Sequence, residues 1–296
     1  MANSPAHRFG QVIGDLLEEI IQPILQEFCD ERGLYLDKKG IRGSARSGRK
    51  VSWEDAYGNS HDMDFVIESG GGHDRQGRPL AFIETAWRRY TKHSRAKAQE
   101  IQGAVLPIAD KYEWDRPFTG AVLAGFFTQG SVKQLESNGI EVALFPYEGV
   151  VSVFKDFDID IAFDEVTPDG HFQRAVNEIL GLEPDKRIGL KKGIVAANQG
   201  LIEKFFSRLQ QRLDRQIVEV IVLPLHGGQS AFNNIKDAIA CVEGYDESSL
   251  ADGEFRKYEI IVRFSNMRGD EQDKIDASFK TKERAINFLS YIQEGI

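Results

Sequence analysis

Three acids and a lysine decide what chemistry this chain can do. Asp62 and Asp64 stand in the run HDMDFVIE, Glu84 stands twenty residues after Asp64 in LAFIETAW, and Lys97 closes the run RRYTKHSRAK. An ionised carboxylate in a segment as apolar as Leu80–Ile83 is costly unless a cation or a strong donor compensates it. Two such carboxylates on neighbouring strands repel unless a divalent ion lies between them, and Mg²⁺ prefers oxygen ligands of this kind. An ion so held polarises a phosphoryl oxygen and acidifies a water that can attack phosphorus. The plainer alternative has Asp64 ending a strand and Glu84 facing solvent.

The surrounding charge suits a polyanion. The chain of 296 residues carries net charge −9, yet residues 31–100 hold 14 Lys/Arg against 10 Asp/Glu. Two runs stand out: Lys38–Lys50 (KKGIRGSARSGRK), with six basic residues and no acid, and Arg88–Lys97, with five basic residues and no acid. Read as solvated loops they need no function. Read as a cationic patch they neutralise phosphates, because screening keeps their field local on an acidic protein.

Elements that can position these groups follow from periodicity. Apolar residues recur at helical spacing over 8–32, with Gly33 as a stop. Residues 51–56 and 63–68 read as a hairpin around Gly58, Asn59 and Ser60, and 69–79 (SGGGHDRQGRP) as a loop that is mobile by composition. A strand is expected over 80–86 and a helix from the N-cap Ser94 to about residue 112, kinked or shortened by Pro107. Strands over 119–127 and 140–146 flank a short helix at 131–138, and 150–181 reads as irregular helix. This predicts a mixed α/β sheet with helices on its faces over residues 1–181. Pro184, Gly189 and basic residues mark a boundary at 182–192. A smaller α+β domain is expected over 193–296: a helix over 194–213, then strand, helix, two strands and a helix.

With Asp64 opening one strand, Glu84 inside the next and a helix after it, the chain resembles the PD-(D/E)xK nuclease superfamily, in particular type II restriction endonuclease-like proteins. That signature is an Asp at the start of one strand, then Glu-x-Lys within the next, then a helix. The resemblance covers residues 8–147 and takes in nothing after 190. It implies a restriction-endonuclease-like fold, Mg²⁺ (with Mn²⁺ in substitution) and cleavage of double-stranded DNA. Asp64 and Glu84 would be metal ligands, joined by the backbone carbonyl of Thr85 and by Asp62. The family's lysine falls where this chain has Ala86. In such folds that lysine positions or deprotonates the attacking water, and a cation from the following helix can replace it. Lys97 is the first substitute and Lys92 the second. Arg88 ranks third because arginine stays charged and cannot act as a base. Lys38, Lys39, Arg42, Arg46, Arg49, Lys50, Arg88, Arg89 and Arg95 would contact DNA, with the loops at 38–50 and 69–79 embracing the duplex. Cutting both strands calls for a second site, hence a homodimer. The competing reading is an inactive nuclease fold that binds DNA or regulates, since Ala86 stands at the lysine position.

Other residues near the motif have double readings. Glu19 either lends a carboxylate from the first helix or is an exposed acid; Gln99 and Glu100 share that ambiguity. His61 and His93 flank the motif, and Trp53, Tyr57, Trp87 and Tyr90 either stack on bases or fill the core. Competing chemistries lack their patterns. There is no dinucleotide or P-loop glycine motif, no GxSxG, no HExxH, and the two cysteines, Cys29 and Cys241, form neither a zinc motif nor a disulfide framework. No segment reads as a membrane span or a secretory leader, so a cytoplasmic protein is expected.

Overall fold

A computed structural model describes residues 4–225, 228–249, 254–265 and 272–295, apart from the side chains of Lys92 and Gln272. Two compact units emerge: residues up to Glu113 with Pro117–Leu209, and Trp114–Arg116 with Gln210 onward.

The first unit opens with helix α1 (Pro5–Asp30), where Ser4 caps the His7 N–H and Pro5 occupies the first turn. Gly33 takes φ +63° beyond its end, a left-handed position that favours glycine. Strand β1 (Tyr35–Lys38) follows, then the hairpin β2 (Val51–Glu54) and β3 (Ser60–Met63), then β4 (Phe65–Ser69) and the long β5 (Arg78–Arg88). Asp64 alone separates β3 from β4. The expected single strand over 63–68 is therefore two, one pairing with β2 and the other entering the main sheet. A short 3-10 turn over Thr91–His93 leads into α2 (Ser94–Lys111). Ser94 is inside the helix rather than its cap, and its Oγ donates to the Thr91 carbonyl at 2.7 Å. Pro107 is accommodated within α2, which runs on to Lys111.

Strand β6 (Phe118–Gly125), buried along its whole length, helix α3 (Gln129–Glu136) and strand β7 (Glu141–Pro146) complete the sheet. Its order is β1-β4-β5-β6-β7, antiparallel from β1 to β5 and parallel from β5 to β7. Even-numbered β5 residues Phe82 and Ala86 pack with Ala98, Ile101 and Val105 of α2. On the opposite face Trp87 lines a small cavity together with Ile13, Leu16 and Leu17 of α1. Helices α4 (Tyr147–Lys155), α5 (Asp169–Leu180), α6 (Pro184–Ala197) and most of α7 (Gln199–Leu213) finish the unit.

The division after Leu209 replaces the boundary expected at 182–192. Gly189 is a packing residue of α6: an added Cβ would lie 3.1 Å from the Phe157 ring, and at Gly193 one would lie 2.8 Å from Val153 Cγ1. Arg187 and Lys191 pair with Glu19 of α1. The Gly- and Lys-rich composition thus reflects close helix contact, not a linker. The helix expected over 194–213 is broken at Asn198, whose Nδ2 donates to the Ile194 carbonyl at 2.8 Å.

The second unit is a four-stranded antiparallel sheet in the order β11-β10-β8-β9: β8 (Gln216–Pro224), β9 (Ser230–Phe232), β10 (Tyr258–Ser265) and β11 (Gln272–Phe279). Helix α8 (Ile235–Gly244) and helix α9 (Lys282–Glu294) supply Val242, Phe288 and Leu289 to a core that includes Val222 and Ile260. The mixed α/β sheet and the smaller α+β unit agree with the sequence reading. Among the described residues no helix is long and apolar enough to cross a membrane.

Candidate active site

The two acids singled out by spacing meet. Phe65 pairs with Ile83, so the next opposed residues on β4 and β5 are Asp64 and Glu84, on one face of the sheet. Each reaches across to the opposite strand, Glu84 to the backbone of Asp64 and Asp64 to Thr85. Glu84 Oε1 accepts from the Asp64 N–H at 3.2 Å, and Asp64 Oδ2 accepts from the Thr85 N–H at 2.7 Å and from Thr85 Oγ1 at 2.8 Å. Asp64 Oδ1 and Glu84 Oε2 have no hydrogen-bond partner among the described residues. Strand β4 begins at Phe65, so the β5 edge beyond Glu84 carries no ladder there and the Thr85 N–H turns to Asp64 instead. A strand residue shows its N–H and C=O on one edge, so the Thr85 carbonyl lies on that same edge.

Both carboxyls border a cavity of about 700 Å³ that also exposes Ala86, Lys97 and, from α1, Glu18. Burial raises the Glu84 pKa well above the ordinary carboxylate range, and the charge of Asp64 raises it further. Burial also raises Asp64, against the pull of the Thr85 hydrogen bonds and of Lys97 and Lys39. Glu18 is pushed up to about 7, again by burial first and then by Asp64. Three desolvated acids converging in this way favour a bound cation.

The donor set suits a hard divalent ion. Two carboxylates and a carbonyl are a typical protein share for Mg²⁺, whose other positions go to water and phosphate. Among the described residues no group of three or more His, Cys, Asp or Glu could hold a metal, which leaves Glu18 in an outer role.

Ala86 faces the cavity where the resemblance would put a lysine, and Lys97 reaches the same cavity from the first turn of α2. Lys97 Nζ donates to Glu100 Oε1 at 2.6 Å. Glu100 also lies 3.8 Å from Arg88, which makes it a holder of the two cations. The side chain of Lys92 lies outside the described residues.

Several expected site residues are elsewhere. Asp62 faces away on the hairpin, accepting from Lys50 Nζ at 2.5 Å and Ser52 Oγ at 2.7 Å, because the chain changes sheet at Asp64. Glu19 is turned to Arg187 and Lys191, and its neighbour Glu18 takes the cavity. The basic run 38–50 is largely committed to the protein. Arg42 is 2% exposed and paired with Asp37 and Glu68, and Arg46 is held by Asp37 and the Lys38 carbonyl. Lys38 donates to Gln26 and Lys50 to Asp62. Lys39, exposed beside Asp15, and Arg49 remain on the surface, as does Arg95. The loop at 69–79 is tied down, with Arg42 donating to the carbonyls of Gly72 and Arg75 and Ser44 bonded to Asp74. His61 is bound to Asp55, whereas exposed His93 borders the cavity. Trp53 and Trp87 are buried core aromatics; Tyr57 is 90% exposed at the hairpin tip.

Glu18 is the residue that sequence reasoning missed, although a signal exists. His7, Gly10, Gly14 and Glu18 form a small and polar stripe along α1, all bordering the cavity. Glycine inside a helix is unfavourable unless space is needed, and an added Cβ at Gly10 or Gly14 meets nothing within 4 Å. Gly14→Ala should therefore stabilise the protein by about 0.5–1 kcal/mol in urea unfolding. Gly14→Phe should fill the cavity instead and slow any reaction there.

No family model matches the chain, and no curated protein matches it. Among solved structures, a protein of unknown function, AF1548, shares 11% identity over 64% of this chain and 99% of its own, at a TM-score of 0.28. That likeness is too slight to carry fold or function.

Proposed function

We propose that the chain is a metal-dependent DNA endonuclease of the restriction-endonuclease-like, PD-(D/E)xK type, hydrolysing a phosphodiester by water attack. The observation that carries this reading is one cavity bordered by the opposed Asp64 and Glu84 and by Lys97. Asp64, Glu84 and the Thr85 carbonyl would hold Mg²⁺ or Mn²⁺, which supplies positive charge for a phosphoryl oxygen and acidifies a water. Thr85 orients Asp64 through two hydrogen bonds, and the Asp64 N–H orients Glu84. Lys97, kept in place by Glu100, supplies the fixed cation next to Ala86 and offsets charge that builds on the phosphate. The substrate is double-stranded DNA, and cutting both strands would take a homodimer.

Supercoiled DNA incubated with the protein and Mg²⁺ or Mn²⁺ is the direct test, and nicking is the expected result. Lys97→Gln should slow nicking roughly a hundredfold, the scale for losing one charge-stabilising group, with DNA retention on a filter little changed. Arg95→Ala should instead weaken retention and lower its salt dependence. Folded protein that nicks with neither metal, yet retains DNA without metal and after Glu84→Ala, would establish the inactive binding module instead.

A further inference from the structure

The cavity beside Asp64 and Glu84 is larger than a metal ion and a phosphate require. An ion keeping about three waters, together with one phosphate, amounts to roughly seven water-sized oxygens, or about 200 Å³ at ~30 Å³ each. The cavity holds about 700 Å³, which leaves roughly 500 Å³ for a further occupant. Spaces of about 300–1,000 Å³ take whole organic ligands.

The walls of that surplus are suited to a flat, partly apolar group. From Glu18 towards the start of α1 the cavity is bordered by Gly14 and Gly10, about 6 and 12 Å away along the helix axis, and then by His7. Both glycines lie inside the helix, and an added Cβ at either would meet nothing within 4 Å, so neither is required by packing. Each weakens the helix relative to alanine, and the bare backbone lets a ligand lie close. Trp87, Tyr90 and His93 border the same space from β5 and the turn after it. The Tyr90 ring is fixed, its hydroxyl donating to the Asp164 carbonyl and the Arg89 guanidinium carbon lying 4.3 Å from its centroid. A ligand is called for independently by Glu84, which is 7% exposed, borders the cavity and has Oε2 without a partner among the described residues.

We propose that this space seats one whole nucleotide, with its phosphate at the Asp64–Glu84 end and its sugar and base along the Gly14–Gly10 wall. A base pair would bring two nucleosides where there is room for one, so a nucleotide of a duplex must leave the stack to enter. Contact with the aromatic rings then replaces part of the lost stacking. The DNA strand as bearer of that nucleotide rests on the nuclease reading; the nucleotide pocket does not.

The test is equilibrium dialysis of the whole protein in Mg²⁺ against thymidine 5′-monophosphate, deoxyribose 5-phosphate and inorganic phosphate. The nucleotide should bind about tenfold more tightly than either base-free ligand. Gly10→Leu, which keeps a good helix former and fills the wall, should erase that advantage and leave the affinity for inorganic phosphate unchanged. A duplex with one bulged thymidine should displace the bound nucleotide about tenfold more readily than the matched duplex, because its base is already unpaired. Equal affinity for all three small ligands, or a nucleotide preference that survives Gly10→Leu, overturns the pocket. Equal displacement by the two duplexes overturns extrusion from the stack, and displacement by neither leaves a pocket for free nucleotide. Should Gly10→Leu fail to fold, the comparison of the three ligands on the native protein decides. Failure of the nuclease reading would show separately, as nucleotide binding by a protein that never nicks DNA.

Discussion

Glu84→Gln is expected to reduce cleavage about a thousandfold or more and, in the absence of metal, to raise the melting temperature at pH 8. The first effect follows from removing a ligand charge where the phosphoryl charge must be offset. The second follows from linkage. Burial and Asp64 raise the folded-state pKa of Glu84 well above its ordinary value of 4.5. The native state thus holds that proton more tightly than the unfolded chain, so stability is complete below the unfolded pKa and is lost as pH rises through the folded one. Glu18 adds the same dependence between 4.5 and about 7. The metal-free protein should therefore melt lower at pH 8 than at pH 5. Glutamine keeps an acceptor for the Asp64 N–H but carries no charge to desolvate, so the variant should regain a few degrees. Mg²⁺ should raise the melting point of the native protein at pH 8 and leave Glu84→Gln almost unaffected. An equal Mg²⁺ response in both would show that the ion binds elsewhere.

The opposed acids were legible because both kinds of evidence are local: a carboxylate in an apolar run, and a loop between two strands that returns one beside the other. Asp62 was misplaced by one assumption, that 63–68 is a continuous strand. Had it been, Asp62 and Asp64 would share a face; the change of sheet at Asp64 separates them. On α1 the acid that borders the cavity stands one position before Glu19, whose two readings the sequence left open. Adjacent helical residues point about 100° apart, so Glu19 meets α6 while Glu18 meets the cavity. The register of a helix against its neighbours is tertiary information, and only the Gly10–Gly14 stripe hinted at it.

Charge runs misled for a related reason. A run of arginines shows that cations are present but not whether acids from distant segments meet them. Asp37 and Glu68, the partners of Arg42, lie on strands β1 and β4, and their burial was invisible before β1 was known to pair with β4. The same holds for Gly189, whose role is set by the Phe157 ring.

Arg42→Met is accordingly expected to destabilise the protein by about 3–5 kcal/mol, measured by urea unfolding, and to leave the DNA affinity of the folded fraction unchanged. Arg42 Nη1 lies 2.8 Å from Asp37 Oδ2 and 2.5 Å from Glu68 Oε1, and Nη2 lies 2.8 Å from Glu68 Oε2. Asp37 and Glu68 are 1% and 0% exposed, so removing the guanidinium strands the buried charge of Glu68 and leaves Asp37 with Arg46 as its cation. The loss extends to the loops, because Arg42 also bonds the Gly72 and Arg75 carbonyls and Glu68 accepts from the Gly77 N–H at 2.5 Å. Pairing Arg42→Met with Asp37→Asn and Glu68→Gln should restore part of the stability, since the cost comes mainly from uncompensated charge rather than from lost attraction. Arg49→Ala, on the exposed part of the same run, should do the opposite: weaken DNA retention and leave unfolding unchanged. If Arg42→Met instead lowered DNA affinity at full stability, the arginine would have to reach the surface, and the loops at 38–50 and 69–79 would have to part to let it.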